Sequence, residues 1–94
     1  MKKYEIIILK EVDIQIQSIL NYIYLETYDK NLIKNISDIL YWACYSLNYF
    51  PYRYRVYFDN IRILNIKSFR IFYEVFEEEQ KVVIFKILSQ YQKY

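Results

Sequence analysis

Residues 47–88 read LNYFPYRYRVYFDNIRILNIKSFRIFYEVFEEEQKVVIFKIL, and this stretch decides the fold. Three runs rich in β-branched and aromatic residues follow one another in it, at 61–66, 69–76 and 82–88, and such runs are typical of strands. The polar breaks at 67–68 and 77–80 are so short that each strand must return antiparallel to the one before it. The stretch therefore predicts a three-stranded meander, preceded at 52–60 by a polar, basic and aromatic segment with the pattern of a loop or a partly extended chain.

The first half of the chain combines one short apolar run with two helical patterns. Residues 4–9 form a short apolar run, continuous from Ile6 to Leu9, which predicts a strand buried on both faces and hence central in the sheet. Two sets of apolar residues then recur at helical spacing: Val12, Ile16, Ile19, Leu20 and Ile23, and Leu32, Ile36, Ile39, Leu40, Ala43 and Leu47.

Turn signals set the limits of the two predicted helices. The first helix should end near Thr27, and Asp29 or Asn31 can cap the second. Pro51 ends the helical region, because the residue before a proline is pushed out of the α conformation. The predicted order is β-α-α-β-β-β, an α+β fold in which a helical hairpin covers an antiparallel sheet. Ninety-four residues leave no room for two cores, so we expect one domain over 1–94.

Charge is unevenly distributed along the chain. The formal net charge is only +2, which by itself does not indicate a nucleic-acid-binding protein. Residues 1–47 contain five basic and six acidic residues, whereas residues 48–94 contain eight basic and five acidic ones. This asymmetry predicts a basic patch for binding a target, formed by Arg53, Arg55, Arg62, Lys67 and Arg70.

Several classes of site are disfavoured by composition. The chain has no histidine and a single cysteine, Cys44, which falls in the second helical pattern and should be a small buried side chain. We therefore expect no disulfide, no metal site and no cofactor. The thirteen tyrosines could stack on RNA bases. However, the chain also has sixteen isoleucines and no glycine, which indicates codon bias, so we expect most of the tyrosines to have packing roles. No segment resembles a signal peptide or a membrane span, so we expect a cytoplasmic protein that does not bind membranes.

Spaced residues in both halves resemble the RelE/ParE family of small bacterial toxins. In the first half, Asp13, Tyr22 and Ile23 are similar to the family's opening helix, and Leu47 and Pro51 to its Leu-x-x-x-Pro junction after the second helix. The strands are similar to the family's pattern at seven further positions, namely Arg62, Leu64, Arg70, Tyr73, Val75, Val83 and Ile87. The resemblance covers residues 4–88 and implies the RelE/ParE-like fold.

The resemblance also implies a function in a type II toxin–antitoxin system. Such a toxin inhibits growth, stabilises plasmids and forms a hetero-oligomer with a cognate antitoxin, through which alone it contacts DNA. One branch of the family poisons DNA gyrase, and another cleaves mRNA on the ribosome. The spacing of Arg62 and Leu64 and the run Ile71–Tyr73 is more similar to the gyrase-directed branch, which we favour. A non-toxic relic of the same fold is a further alternative.

The nuclease branch requires a base, an acid and cations around the scissile phosphate. By resemblance, Arg70 stands where a phosphate-contacting arginine would be, with Arg62 as a second candidate. The tail offers only Tyr91, Lys93 and Tyr94, and side chains with a pKa near 10 are poor bases at neutral pH. The nuclease set is thus incomplete, so whether the chain is an enzyme stays open and the non-enzymatic alternative is favoured.

Each of these residues also has a purely structural interpretation. Arg70 could be a solvated arginine paired with Glu74, and Tyr73 a core residue. The three glutamates at 77–79 are expected to form a solvated turn and not a metal site, because neighbouring carboxylates cannot converge on a metal without other ligands.

Overall fold

The computed structural model describes residues 3–90. Its elements, in chain order, are β1 (Glu5–Ile8), α1 (Lys10–Thr27), α2 (Lys30–Tyr45), a short 3₁₀ turn (Ser46–Asn48), β2 (Val56–Phe58), β3 (Ile61–Ile66), β4 (Phe69–Phe76) and β5 (Lys81–Ser89). The strands form one sheet in the order β1-β5-β4-β3-β2, and the helices pack on one of its faces. The predicted α+β fold, a helical hairpin over a mostly antiparallel sheet, is confirmed.

The meander of β3, β4 and β5 closely follows the predicted boundaries. β3 and β4 have the predicted ends, and β5 extends one residue further at each end than the predicted 82–88. Both hairpin turns contain a residue with positive φ, Lys67 at 54° and Gln80 at 52°, because a tight turn requires the left-handed conformation and the chain has no glycine to supply it.

The predicted central position of the first strand is wrong. β1 lies at one edge of the sheet, where it pairs only with β5, and the two strands are parallel. Ile6 and Ile8 pack against the core under the helices, whereas Ile7 lies beside Val83 on the other face. The three consecutive isoleucines of β1 are thus explained by the partial cover of both its faces, although it pairs along one edge with β5.

The segment before β3 contains a strand. Val56–Phe58 pairs antiparallel with β3 and forms the opposite edge of the sheet. All three of its residues are exposed, so it shows no inward and outward alternation by which a strand could be recognised in the sequence. The predicted loop or partly extended segment is thus extended over these three residues.

The main core lies between the helices and the sheet. All five residues of the α1 face, predicted from their spacing, are buried. On α2 the burial is concentrated in the second half, at Leu40, Ala43 and the predicted buried Cys44, while Leu32 near its beginning is 36% exposed. Asp29 caps α2, since its side chain accepts a hydrogen bond from the backbone N–H of Leu32 at 3.1 Å.

Candidate functional site

The two faces of the sheet differ in their cover. Residues paired across antiparallel strands lie on the same face, so Leu64 and Ile71 mark the face under the helices, and Ile63 and Phe72 mark the opposite face. We call the second face the open sheet face. Ile63 and Phe72 are only 2% and 5% exposed, although they lie outside the main core under the helices. The open sheet face therefore has a small buried cluster of its own.

Aromatic rings and a lysine surround Phe72 on the open sheet face. The ring of Tyr57 contacts that of Phe72 edge-on, with centroids 5.3 Å apart and an interplanar angle of 81°. Phe85 lies 6.5 Å away at a tilt of 47°, and Lys86 places Nζ 5.6 Å from the centroid of the Phe72 ring. An ammonium at this distance is attracted by the ring quadrupole.

A β-bulge brings Phe85 and Lys86 into this cluster. Phe72 pairs with Lys86 and Tyr73 pairs with Ile84, so the register between β4 and β5 skips Phe85. An extra residue of this kind re-aims the side chains around it. It also interrupts the alternation of β5, so the pattern of the sequence does not assign Lys86 and Phe85 to this face.

A cleft of about 190 Å³ opens on this cluster, and we call it the aromatic cleft. Its apolar lining consists of Tyr57, Phe58, Ile61, Phe72, Phe85 and Leu88, and its charged lining consists of Arg70 and Lys86. Tyr57 and Phe58 are 58% and 69% exposed, so the apolar surface continues from the cleft onto the edge strand β2.

Arg70 and Lys67 lie together near the β3–β4 turn. Arg70 is exposed on the open sheet face, facing away from the buried Phe69 and Ile71 as predicted. The two basic residues line a second cleft of about 440 Å³, which also involves Gln90 at the end of the described chain. Within residues 3–90 the side chain of Arg70 has no ion-pair or hydrogen-bond partner, so the considered pairing with Glu74 does not form there.

Arg62 lies on the opposite face from Arg70. It is paired with Tyr73, whereas Arg70 is paired with Asn65, and these two pairs project to opposite sides of the sheet. Nη1 of Arg62 donates hydrogen bonds to the carbonyl oxygens of Tyr52 and Tyr54, at 3.2 and 2.6 Å. The guanidinium also stacks 5.0 Å from the centroid of the Tyr52 ring. Arg62 thus fixes the chain between the helices and β2.

The remaining two residues of the predicted basic patch belong to that same connection. Arg53 is exposed and donates a hydrogen bond to the hydroxyl of Tyr54 at 2.8 Å, and its guanidinium lies 4.9 Å from the centroid of that ring. Arg55 is exposed, and its carbonyl oxygen accepts a bond from the N–H of Ile63. The structure therefore divides the predicted patch into an Arg53–Arg55–Arg62 group and a Lys67–Arg70 pair.

A polar network holds the connection 49–55 to the sheet. The hydroxyl of Tyr73 donates a 2.6 Å hydrogen bond to the carbonyl of Pro51, and both residues are buried. Oε1 of Glu77 accepts hydrogen bonds from the hydroxyls of Tyr4 and Tyr52, at 2.8 and 2.7 Å. Tyr73 is fully buried, as its interpretation as a core residue requires, and Glu77 of the predicted soluble turn has a structural role that sequence reasoning missed.

The environments of these tyrosines hold their hydroxyls in the protonated form. The hydrogen bond to the Glu77 carboxylate raises the pKa of Tyr52 to about 12, and burial raises the pKa of Tyr73 to about 12. Burial likewise raises the pKa of Tyr41, whose hydroxyl donates to Asp13, to about 12, and that of the Cys44 thiol to about 12. Each of these groups is therefore protonated at neutral pH and is not available there as a general base.

The candidate tail residues Tyr91 and Lys93 lie outside the described residues. Within residues 3–90, no three carboxylate, cysteine or histidine side chains are grouped so that they could hold a metal ion. Neither of the two helices in this range is long and apolar enough to cross a bilayer.

Comparison with known proteins identifies a matching family and solved structures of similar fold. The sequence model of the family described as the ParE toxin of the type II toxin–antitoxin system, parDE, matches residues 6–94. The crystal structure of the toxin–antitoxin complex RelBE2 from Mycobacterium tuberculosis contains a similar chain, with a TM-score of 0.66 and 14% sequence identity. The similarity covers 98% of this chain and 97% of the other and concerns the fold alone. No curated protein is similar enough to count as a match.

Proposed function

Because the chain belongs to the ParE toxin family of type II toxin–antitoxin systems, we propose that it inhibits growth by binding a protein target such as DNA gyrase. The observation that supports this most directly is the placement of Arg62 and Arg70 on opposite faces of the sheet. The two arginines, which resemblance suggested for a phosphate site, cannot contact the same phosphate. The open sheet face, where Arg70 stands beside exposed aromatic side chains, is the surface we assign to the target.

The chemistry of Arg62 further supports a binding protein over a nuclease. Its guanidinium is engaged by two carbonyl oxygens and by the ring of Tyr52. Moving it to a substrate would break these bonds and release the connection 49–55. A cation that stabilises a transition state must instead be preorganised and directed at the reacting group.

We also propose that a cognate antitoxin binds the chain and neutralises it. Family membership supports this partner, and so do exposed aromatic side chains outside the open sheet face. On α2 and just beyond it, Trp42, Tyr45 and Tyr49 are 64%, 54% and 45% exposed, and their spacing places them on one side of the helix. An antitoxin segment that folds on binding can cover such a stripe. DNA would be reached only through this antitoxin.

One observation keeps the ribosome-dependent nuclease as the second candidate. Lys67 and Arg70 line the 440 Å³ cleft beside Gln90, so two cations stand where the tail containing Tyr91 and Lys93 begins. Two cations can hold a phosphodiester, and the tail would have to supply the acid and the base.

Induction of the chain in cells separates the candidates. We expect slowed growth and stalled replication, and primer extension on mRNA from the induced cells should show no new 5′ ends. Discrete ends in ribosomal A-sites that disappear with Arg70→Ala would instead establish the nuclease. In that case deletion of 91–94 should reduce cleavage by roughly 10²–10³-fold. Normal growth at high soluble expression would identify a non-toxic relic.

A further inference from the structure

We propose that the aromatic cleft binds a short segment of the protein target in which carboxylates flank an apolar side chain. The inference rests on the proposed function, because it names the chemistry of the partner of this toxin. It concerns Phe72, Phe85 and Lys86, none of which belonged to the basic patch predicted from the sequence.

The apolar side chain of the bound segment is inferred from the burial of two residues on the open sheet face. Phe72 and Ile63 are 5% and 2% exposed on the side of the sheet that the helices do not cover. Next to them Tyr57 and Phe58 are 58% and 69% exposed, at the rim of the cleft. Aromatic side chains and well-packed apolar pockets are typical of the centres of protein interfaces. A partner side chain that enters the cleft would therefore contact an apolar surface that is already ordered.

The carboxylates of the bound segment are inferred from the pairing register of β4 and β5, which places two cations side by side. Arg70 pairs with Leu88 and Phe72 pairs with Lys86, so Arg70 and Lys86 are diagonal neighbours on the same face. Diagonal neighbours of this kind are about 7–8 Å apart, so one bound segment can reach both cations. Among residues 3–90 no carboxylate lines the aromatic cleft, and the nearest acidic residue of the open face on β4, Glu74, lies beyond Phe72. The cleft is thus complementary to a partner with at least two carboxylates.

The arrangement of the rings favours a protein over a single-stranded nucleic acid. Base stacking requires a free ring face. Lys86 lies over the ring of Phe72, and Tyr57 contacts that ring edge-on at 81°, so the buried ring at the centre presents no such face. Binding of a nucleic acid without regard to sequence depends on attraction between basic residues and phosphates, and the net charge of +2 provides little of this attraction.

Three probes test the proposal on the purified full chain by amide chemical-shift titration. The first is a hexapeptide with Leu-Phe at its centre and two carboxylates on each side. The second has four lysines in place of the carboxylates, and the third is a uridine hexanucleotide. We expect the acidic peptide to shift the amides of 70–72 and 85–88 and to bind at least about tenfold more tightly than the lysine peptide.

Paired substitutions then locate the binding site. The double variant Arg70→Gln/Lys86→Gln should lose the roughly tenfold preference. The matched variant Lys81→Gln, on the same strand and face but outside the cleft, should keep it. Equal binding of both peptides, shifts elsewhere, or no shifts with any probe would overturn the proposal. Tighter binding of the hexanucleotide that is lost in the double variant would overturn it in favour of nucleic acid.

Growth measurements distinguish this proposal from the proposed function. If the wild-type chain does not slow growth, it is not an active toxin, whatever the peptides do. If it slows growth and the double variant does so equally, the chain is a toxin but the aromatic cleft is not its contact surface. We expect the double variant to be folded, soluble and at least about tenfold less inhibitory at equal expression.

Discussion

Tyr73 anchors the connection between the helices and the sheet from inside the fold. Its hydroxyl donates to the carbonyl of Pro51, 22 positions earlier in the chain, and Arg62 binds two further carbonyls of the same connection. Both residues were identified by their resemblance to a family pattern of toxins. Their observed contacts indicate that these two positions of the family pattern serve to hold the connection 49–55 in place. This is a requirement of the fold and not of catalysis.

Replacing Tyr73 with phenylalanine should therefore lower stability without changing the fold. The carbonyl of Pro51 would remain buried without the hydroxyl that satisfies it, and leaving such a group unpaired costs about 1–3 kcal/mol. We expect the free energy of unfolding, measured by urea denaturation, to fall by this amount.

Tyr22→Phe is the matched control for this substitution. Tyr22 is 39% exposed, so loss of its hydroxyl should change the free energy of unfolding by less than about 0.5 kcal/mol. If the two variants were equally stable, Tyr73 would be a packing residue only, and the connection 49–55 would be held by Arg62 and Glu77.

Residue types predicted the core far better than they predicted the site. The α1 face and Cys44 are buried as their spacing indicated, because burial follows from local periodicity. The division of the basic patch was not predictable in the same way. Whether Arg62 and Arg70 share a face depends on strand parity across 61–70, including a turn, and the partners of Arg62 lie eight and ten residues away in a connection without a pattern.

At the scale of elements, the chain forms its turns without glycine. In the described part of the chain, four residues adopt positive φ between 52° and 54°, namely Tyr28, Asp59, Lys67 and Gln80. This left-handed conformation costs an ordinary residue roughly 1–2 kcal/mol and costs glycine much less. The strands on either side of each hairpin turn hold it in this conformation despite the cost.

Gln80→Gly should consequently stabilise the protein. The turn conformation is fixed by the bond from the N–H of Gln80 to the carbonyl of Glu77, and the carbonyl of Gln80 accepts from the N–H of Glu5. Both bonds involve the backbone and persist with glycine. We expect a gain of about 1 kcal/mol in the free energy of unfolding, measured by urea denaturation.

The same substitution one position earlier provides the control. Glu79 is exposed and has no positive φ, so Glu79→Gly should lower stability because glycine only adds freedom to the unfolded chain. A loss of stability in both variants would show that Gln80 is not under strain.

Elements and their limits were largely predictable, whereas their order in the sheet was not. The ends of β3 and β4 follow from the polar breaks beside them, which are local signals. The edge position of β1 depends on its parallel pairing with β5, about 76 residues away, for which no local pattern exists. The bulge at Phe85 has the same origin, because it is a property of the pairing of two strands and not of either strand alone.

At the scale of the whole molecule, two of the apolar surfaces within residues 3–90 lie well apart from each other. One is the aromatic cleft on the open sheet face, and the other is the stripe of Trp42, Tyr45 and Tyr49 on the outer side of the hairpin. The helices lie between the stripe and the sheet, so a single short segment cannot cover both. A toxin that must meet a target and an inhibitor could use one surface for each, and we assign the stripe to the antitoxin.

Trp42 is the only tryptophan of the chain, and it is 64% exposed, so its fluorescence reports directly on this assignment. With an antitoxin that has no tryptophan, binding should shift the emission of Trp42 to shorter wavelength and reduce its quenching by iodide, because the ring leaves water. Trp42→Ala should weaken the complex by about 2 kcal/mol or more if the ring is a central contact. Lys34→Ala serves as the control, since Lys34 lies on the same helix and its exposed pair with Asp38 contributes little. Unchanged emission on formation of a stable complex would show that the antitoxin binds away from the stripe.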